Sequence, residues 1–152
     1  MQYRELMKRG IKMKKIFVTL FALMIVVCAV TGCTAKDDAE TNIWESATYT
    51  ENTSLGEGAK SFELEVKVLE NSVTFTVSTD KETVGEALEE HGIVSGEEGP
   101  YGLYIKKVNG ITADYDVDQS YWSFTKNGEY MTTGADKTGI ENGAHYELVY
   151  TK

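Results

Sequence analysis

Three aspartates at alternate positions, Asp114, Asp116 and Asp118, are the side chains in this sequence best placed along the chain to hold a hard cation. Alternating carboxylates in a loop put oxygen donors on one side, the donor type that calcium takes. Their spacing corresponds to the first half of an EF-hand loop. Gln119, however, stands where that loop needs its glycine, and Thr125 stands where it needs its closing acidic residue. An EF-hand proper is therefore excluded. Two readings remain: a looser calcium or metal site, with Glu97 or Glu98 supplying further oxygens, or a solvated acidic loop between two strands.

A second set is aromatic: Tyr101, Tyr104, Tyr115, Tyr121, Trp122, Phe124 and Tyr130. Aromatic rings on a sheet and its loops can stack a flat ligand, and Tyr101, Tyr115, Tyr121 and Trp122 are the candidate ligand-binding residues. Trp122 and Phe124 fall on one strand face, so core packing competes with recognition for them. Tyr101 and Tyr115 fall in loops, where recognition residues concentrate. The two histidines, His91 and His145, have no second histidine or cysteine at metal-ligand spacing and read as structural. No nucleophile elbow, phosphate-binding glycine loop or Cys–His pairing appears, and a non-enzymatic protein is expected.

The elements that must position these residues begin at Ser61. Phe62, Leu64, Val66 and Val68 alternate with Glu63, Glu65 and Lys67, and a turn at Asn71-Ser72 leads to Val73, Phe75 and Val77. Period-two alternation on both sides of a turn predicts a hairpin. Val84, Ala87, Leu88 and His91 then follow helical spacing. Thr83 and Glu86 form a capping box, and Gly92 ends the helix. A glycine-rich loop with the only proline, Pro100, leads to a strand at 103–108 and a tight turn at Asn109-Gly110. Further strands are expected at 121–126, 129–131 and 145–151, with turns at Asn127-Gly128 and Asn142-Gly143. One helix over a mixed, mostly antiparallel sheet is an α+β architecture of the β-grasp (ubiquitin-like) kind, with a small β-sandwich as the competing arrangement.

Upstream of the domain the chain reads as an export signal followed by a tether. Lys8, Arg9, Lys12, Lys14 and Lys15 precede fifteen uncharged residues from Ile16 to Val30. The segment closes on Val30-Thr31-Gly32-Cys33, which resembles the lipobox of bacterial lipoprotein signals. That resemblance implies removal of residues 1–32 and diacylation of the Cys33 thiol, enough for stable anchoring at the extracellular side of the membrane. Met13 supplies an alternative start. Residues 33–60 hold six acidic residues among Thr, Ser, Asn and Gly, with Ile43, Trp44, Tyr49 and Leu55 scattered without period. They are expected to be a disordered tether reaching roughly 30 Å. From Cys33 onward the chain carries nine Lys and no Arg against 23 Asp and Glu, a formal charge of −14. Such a balance excludes a nucleic-acid-binding face.

The stretch Val108-Asn109-Gly110, Tyr121-Trp122-Ser123-Phe124, Asn127-Gly128 and His145-Tyr146-Glu147-Leu148-Val149-Tyr150, with the helix start Thr83-Val84-Gly85-Glu86-Ala87-Leu88, carries a family resemblance. It resembles a bacterial domain of unknown function similar to the C-terminal domain of transcobalamin and intrinsic factor. The resemblance covers residues 61–152 and implies a soluble-ligand-binding β-grasp domain. In the eukaryotic carriers that domain caps one face of cobalamin together with a helical domain. The expected function is a surface lipoprotein that captures a corrinoid (cobalamin) or another small molecule for a transporter. A calcium- or metal-binding surface module and a protein-interaction or adhesion domain are the alternatives.

Overall fold

The alternation of Phe62, Leu64, Val66 and Val68 becomes strand β2 (Lys60–Val68), which buries those four side chains. It pairs antiparallel with β3 (Asn71–Thr79), which buries Val73, Phe75 and Val77. Residues 43–152 of the chain are described by a computed structural model. The signal segment, Cys33 and the first part of the expected tether lie outside the described residues. The hairpin turn is Leu69-Glu70, not Asn71-Ser72: Asn71 already pairs with Val68, and Leu69 takes the left-handed conformation (φ 54°). Two residues suffice to reverse the chain, which releases Asn71 and Ser72 into the ladder.

The helix α1 (Val84–Glu90) forms as its signals require. Glu86 N–H donates to the Thr83 hydroxyl at 3.3 Å, and the Glu86 carboxylate accepts from Thr83 N–H at 3.2 Å. Val84, Ala87 and Leu88 point into the core. The glycine-rich segment is a strand rather than a loop. β4 (Val94–Gly99) pairs with β5 (Gly102–Val108), through a bulge at Ser95/Gly96 that the sequence pattern does not mark. Gly99 and Gly102 are paired across a tip made of Pro100 and Tyr101. Asn109-Gly110 closes a third hairpin, from β5 to the two-residue β6 (Ile111–Thr112).

A short helical turn α2 (Tyr115–Asp118) precedes β7 (Tyr121–Lys126). The Asn127-Gly128 turn joins β7 to β8 (Glu129–Tyr130), with positive φ at both turn residues (53° and 80°). This is the backbone that the Asn-Gly pair favours. Asn142-Gly143 also turns the chain but closes no hairpin. It binds the N-terminal end of β2, where Asn142 Oδ1 accepts from Ser61 N–H at 2.8 Å, and then leads into β9 (His145–Thr151).

A mixed sheet of six strands runs β1 (Thr53–Leu55), β3, β2, β9, β7, β8, and β4-β5-β6 form a second, antiparallel sheet. The last strand, β9, inserts beside the first of the hairpin, parallel to β2 and antiparallel to β7. Phe62, Leu64, Phe75, Tyr146 and Leu148 from the large sheet meet Leu88, Val94, Val108 and Ile111 in one core. Full burial of each such side chain contributes roughly 1.5–3 kcal/mol.

The tether expectation is corrected for residues 43–60. Ile43–Ser46 form a 3-10 turn, and β1 (Thr53–Leu55) adds to the sheet edge parallel to β3. Tyr49 sets its ring edge against Phe75 at 5.4 Å, and Trp44 packs half-buried on the core. The buried Asn109 side chain accepts from Tyr49 N–H at 2.9 Å and donates to Tyr49 O at 2.8 Å. The apolar residues of this segment have no period because each docks singly on a preformed surface. The backbone of Tyr49 is satisfied by the side chain of a turn residue 60 positions away.

Candidate metal centre

The face of the large sheet turned away from the core carries the clearest convergence of chemical groups. On β2, Glu63, Glu65 and Lys67 alternate with the buried Phe62, Leu64, Val66 and Val68, so all three point outward. On β9, burial of Tyr146 and Leu148 turns His145 and Glu147 to the same outer face. The parallel register pairs Glu63 with His145 and Glu65 with Glu147, while β7 sets Thr125 opposite Glu147 from the other side. Two carboxylates directly opposite one another at the centre of a sheet are unfavourable without a cation between them.

Nitrogen-bearing groups reach these carboxylates from both ends. His145 Nε2 lies 3.2 Å from Glu65 Oε2 and 4.0 Å from Glu147 Oε1. Lys67 Nζ lies 2.7 Å from Glu147 Oε1 and 3.1 Å from Glu65 Oε2. The other imidazole nitrogen, Nδ1, faces Glu63 Oε2 at 3.2 Å. With Nδ1 protonated toward Glu63, the Nε2 lone pair is left facing Glu65 and Glu147. A carboxylate holding the far imidazole nitrogen in this way is the usual support of a metal-ligating histidine.

Glu147 is the most buried member. Its side chain is 9% exposed, and Oε2 accepts from the Thr125 hydroxyl and, at 2.8 Å, from Gly128 N–H. The Asn127-Gly128 turn thus delivers an amide to the site. Burial pushes the Glu147 carboxyl upward, but Lys67, Thr125 and Gly128 outweigh it and hold its pKa down at about 2. Lys67, hydrogen-bonded to Glu147 and Glu65, is raised above its ordinary value.

Glu65, His145 and Glu147 each present one donor atom, and all three lie within 4.8 Å of one another. No other group of three His, Cys, Asp or Glu among the described residues does so. A metal bound at about 2.0–2.2 Å from each donor would hold them roughly 3.4 Å apart in tetrahedral geometry. The 3.2 and 4.0 Å separations already approach this. One nitrogen with two carboxylates suits zinc or a neighbouring transition ion better than calcium, which takes six to eight oxygens. Without a metal, the same groups form an ion-pair network that ties β2 to β9.

The residues singled out by spacing lie elsewhere. Asp114 caps α2, accepting from Asp116 N–H at 3.0 Å, and pairs with Lys106 at 3.7 Å. Asp118 accepts from Ser120 N–H and the Ser120 hydroxyl, which lowers its pKa, and pairs with Lys152 at 3.6 Å. Asp116 is exposed, and Glu97 pairs with Lys106 rather than joining the aspartates. Tyr101 is 94% exposed at the tip of the β4–β5 hairpin and lines a cleft of about 490 Å³ with Glu97, Glu98, Tyr104 and Gly134. Tyr115 and Tyr121 are exposed but do not line that cleft. Trp122 is buried and meets Tyr150 edge to face at 5.6 Å, so its ring offers no stacking surface. His145, read from sequence as structural, is the residue whose partners the pattern concealed. Its spacing to Glu147 on one strand face was the available signal, but Glu65 lies 80 positions away.

Residues 81–152 match a domain of unknown function, DUF4430. His145 and Glu147 lie inside that match, whereas Glu65 and Lys67 come from the hairpin before it. Curated proteins give no match. Among solved structures, a protein from Ruminococcus gnavus ATCC 29149, described as a "putative metal binding protein", is 37% identical with a TM-score of 0.59. The similarity covers 62% of this chain and 98% of that one. Haptocorrin in complex with Cbi is 23% identical with a TM-score of 0.48, over 64% of this chain and 26% of that one. With 37% identity across nearly all of the Ruminococcus protein, this chain belongs to the same family, and it carries the DUF4430 domain over residues 81–152.

Proposed function

We propose that this chain is an exported, lipid-anchored lipoprotein whose non-catalytic domain binds a divalent transition-metal ion through Glu65, His145 and Glu147. The observation that carries the reading is the approach of His145 Nε2 to two carboxylates that paired strands bring together. The description of the Ruminococcus relative as a "putative metal binding protein" supports the same ligand class. The arrangement is read as a β-grasp, because the last strand lies parallel to the first strand of the hairpin with α1 between them in sequence. Anchoring through Cys33 rests on the basic, apolar and lipobox order of residues 1–33 and would hold the domain outside the cell, beside a transporter that takes up its cargo.

Calorimetric titration of the purified protein with Zn²⁺ tests the binding. One equivalent of ion is expected, and His145→Ala should abolish the heat. Unchanged binding by that variant would overturn the assignment. For the anchor, Cys33→Ser should move the protein from the membrane fraction to the medium.

A second reading follows the tyrosine-lined cleft at the β4–β5 tip, where Tyr101 and Tyr104 offer ring surface to a planar ligand. The corrinoid expectation is tested there by titrating cobalamin into the wild-type protein and into Tyr101→Ala. Binding that survives the substitution removes the cleft from consideration.

A further inference from the structure

We infer that Lys67 sets the metal-affinity threshold of this centre, a tethered ammonium that holds the cation position until a metal ion displaces it. The inference rests on the reading of Glu65, His145 and Glu147 as the metal site, and it adds what an entering ion must displace.

The geometry is that of one position contested by two cations. Lys67 Nζ touches Glu65 Oε2 and Glu147 Oε1, the same two oxygens that face His145 Nε2. A divalent ion taking up those oxygens would sit a few ångströms from the ammonium, two like charges sharing the same carboxylates. Bound metal and bound Lys67 therefore exclude one another. Lys67 also has a way out: its side chain is 36% exposed, and it stands on the solvent face of β2 opposite Ser72 of β3. A flexible four-carbon stem can swing the charge into water without moving the strand.

The consequence is a threshold. The apparent affinity of any ion is reduced by the fraction of molecules in which Lys67 has left. An ion that gains from the imidazole nitrogen recovers that loss, as zinc and copper do. Calcium and magnesium prefer oxygen donors, make no comparable gain from nitrogen, and find only two carboxylates here. Lys67 thus raises the threshold for every ion alike, and the His145 nitrogen is what lets transition ions clear it where hard cations do not.

Lys67→Met should tighten Zn²⁺ binding about tenfold, while Lys67→Arg, whose guanidinium grips carboxylates through two parallel hydrogen bonds, should weaken it. Calcium should give no heat with the wild-type protein. His145→Ala serves as the separate control. If it binds Zn²⁺ like the wild type, the site itself is misassigned. If it loses binding while Lys67→Met binds no more tightly than the wild type, the site stands and the role of Lys67 is overturned. A measurement on the unmodified protein covers the case of a variant that does not fold. Saturating Zn²⁺ should raise the acetylation rate of the Lys67 amine, read by mass spectrometry. An unchanged rate beside metal that His145→Ala cannot bind would overturn the inference.

Discussion

Two acidic regions of this protein contrast sharply. Asp114, Asp116 and Asp118 lie within five consecutive residues, yet the carboxylates of Asp114 and Asp118 turn to separate partners (an amide, a hydroxyl or a lysine) and Asp116 is exposed. Glu65 and Glu147 are separated by more than eighty residues in sequence, yet stand opposite one another on neighbouring strands. Short aspartates near a helical turn satisfy the backbone beside them, which disperses their oxygens. Strand pairing does the reverse. It fixes Cβ positions across the ladder at about 4.5–5.5 Å and forces side chains on one face to meet. Proximity in sequence is thus a poor guide to a cation site in a β-rich domain, and register is a good one.

The largest expected effect separates the two regions directly. His145→Ala should weaken Zn²⁺ binding by more than about 100-fold, since even the partners that orient ligands contribute 10–100-fold. The triple replacement of Asp114, Asp116 and Asp118 by Asn should leave that affinity unchanged. Should the triple variant lose zinc instead, the comparison is reversed and the helical turn is the site.

Stability should divide along the same line. Glu147→Ala leaves the Thr125 hydroxyl and Gly128 N–H without their acceptor and is expected to lower unfolding free energy by about 1–3 kcal/mol, the cost of unsatisfied buried donors. Asp116→Ala removes an exposed carboxylate and should stay within about 0.5 kcal/mol in the same denaturant titration. A finer effect sharpens the picture of His145. Glu63→Gln, which alters only the group behind Nδ1, should weaken Zn²⁺ about tenfold with little change in melting temperature.

The smallest effect concerns pH. Glu147 is held at about 2 in the folded chain against 4.5 when free, so the stability it contributes is present above 4.5 and lost as pH falls toward 2. Lys67 is raised, so its contribution is present below 10.5 and lost as pH climbs through its higher folded value. The stability difference between wild type and Glu147→Gln should therefore shrink between pH 4.5 and 2. A difference that stays constant over that window would show that Lys67 does not hold Glu147 ionised.

Much of the scaffold was legible. Thr83 and Glu86 marked the helix start because a capping box needs only four neighbouring residues. Asn109-Gly110 and Asn127-Gly128 marked their turns because few residue pairs tolerate two consecutive positive φ angles. What escaped were features made elsewhere in the chain. Tyr49, Trp44 and Leu55 look like stray apolar residues of a linker until the core surface and the Asn109 side chain that receive them exist. His145 looked isolated for the same reason.

The sequence by itself determined which face of the hairpin strands is apolar, where the helix begins and where the Asn109-Gly110 and Asn127-Gly128 turns fall. These depend on side-chain period and local backbone preference, and both are set within a few residues. Only the tertiary structure decided that β9 enters between β2 and β7 in the register that pairs Glu65 with Glu147 and brings His145 and Lys67 against both. Burial of Tyr146 and Leu148 in the common core sets that register, and shifting it by a single residue would turn the whole polar row inward. The candidate metal centre is thus the outer side of a constraint that the core imposes from within.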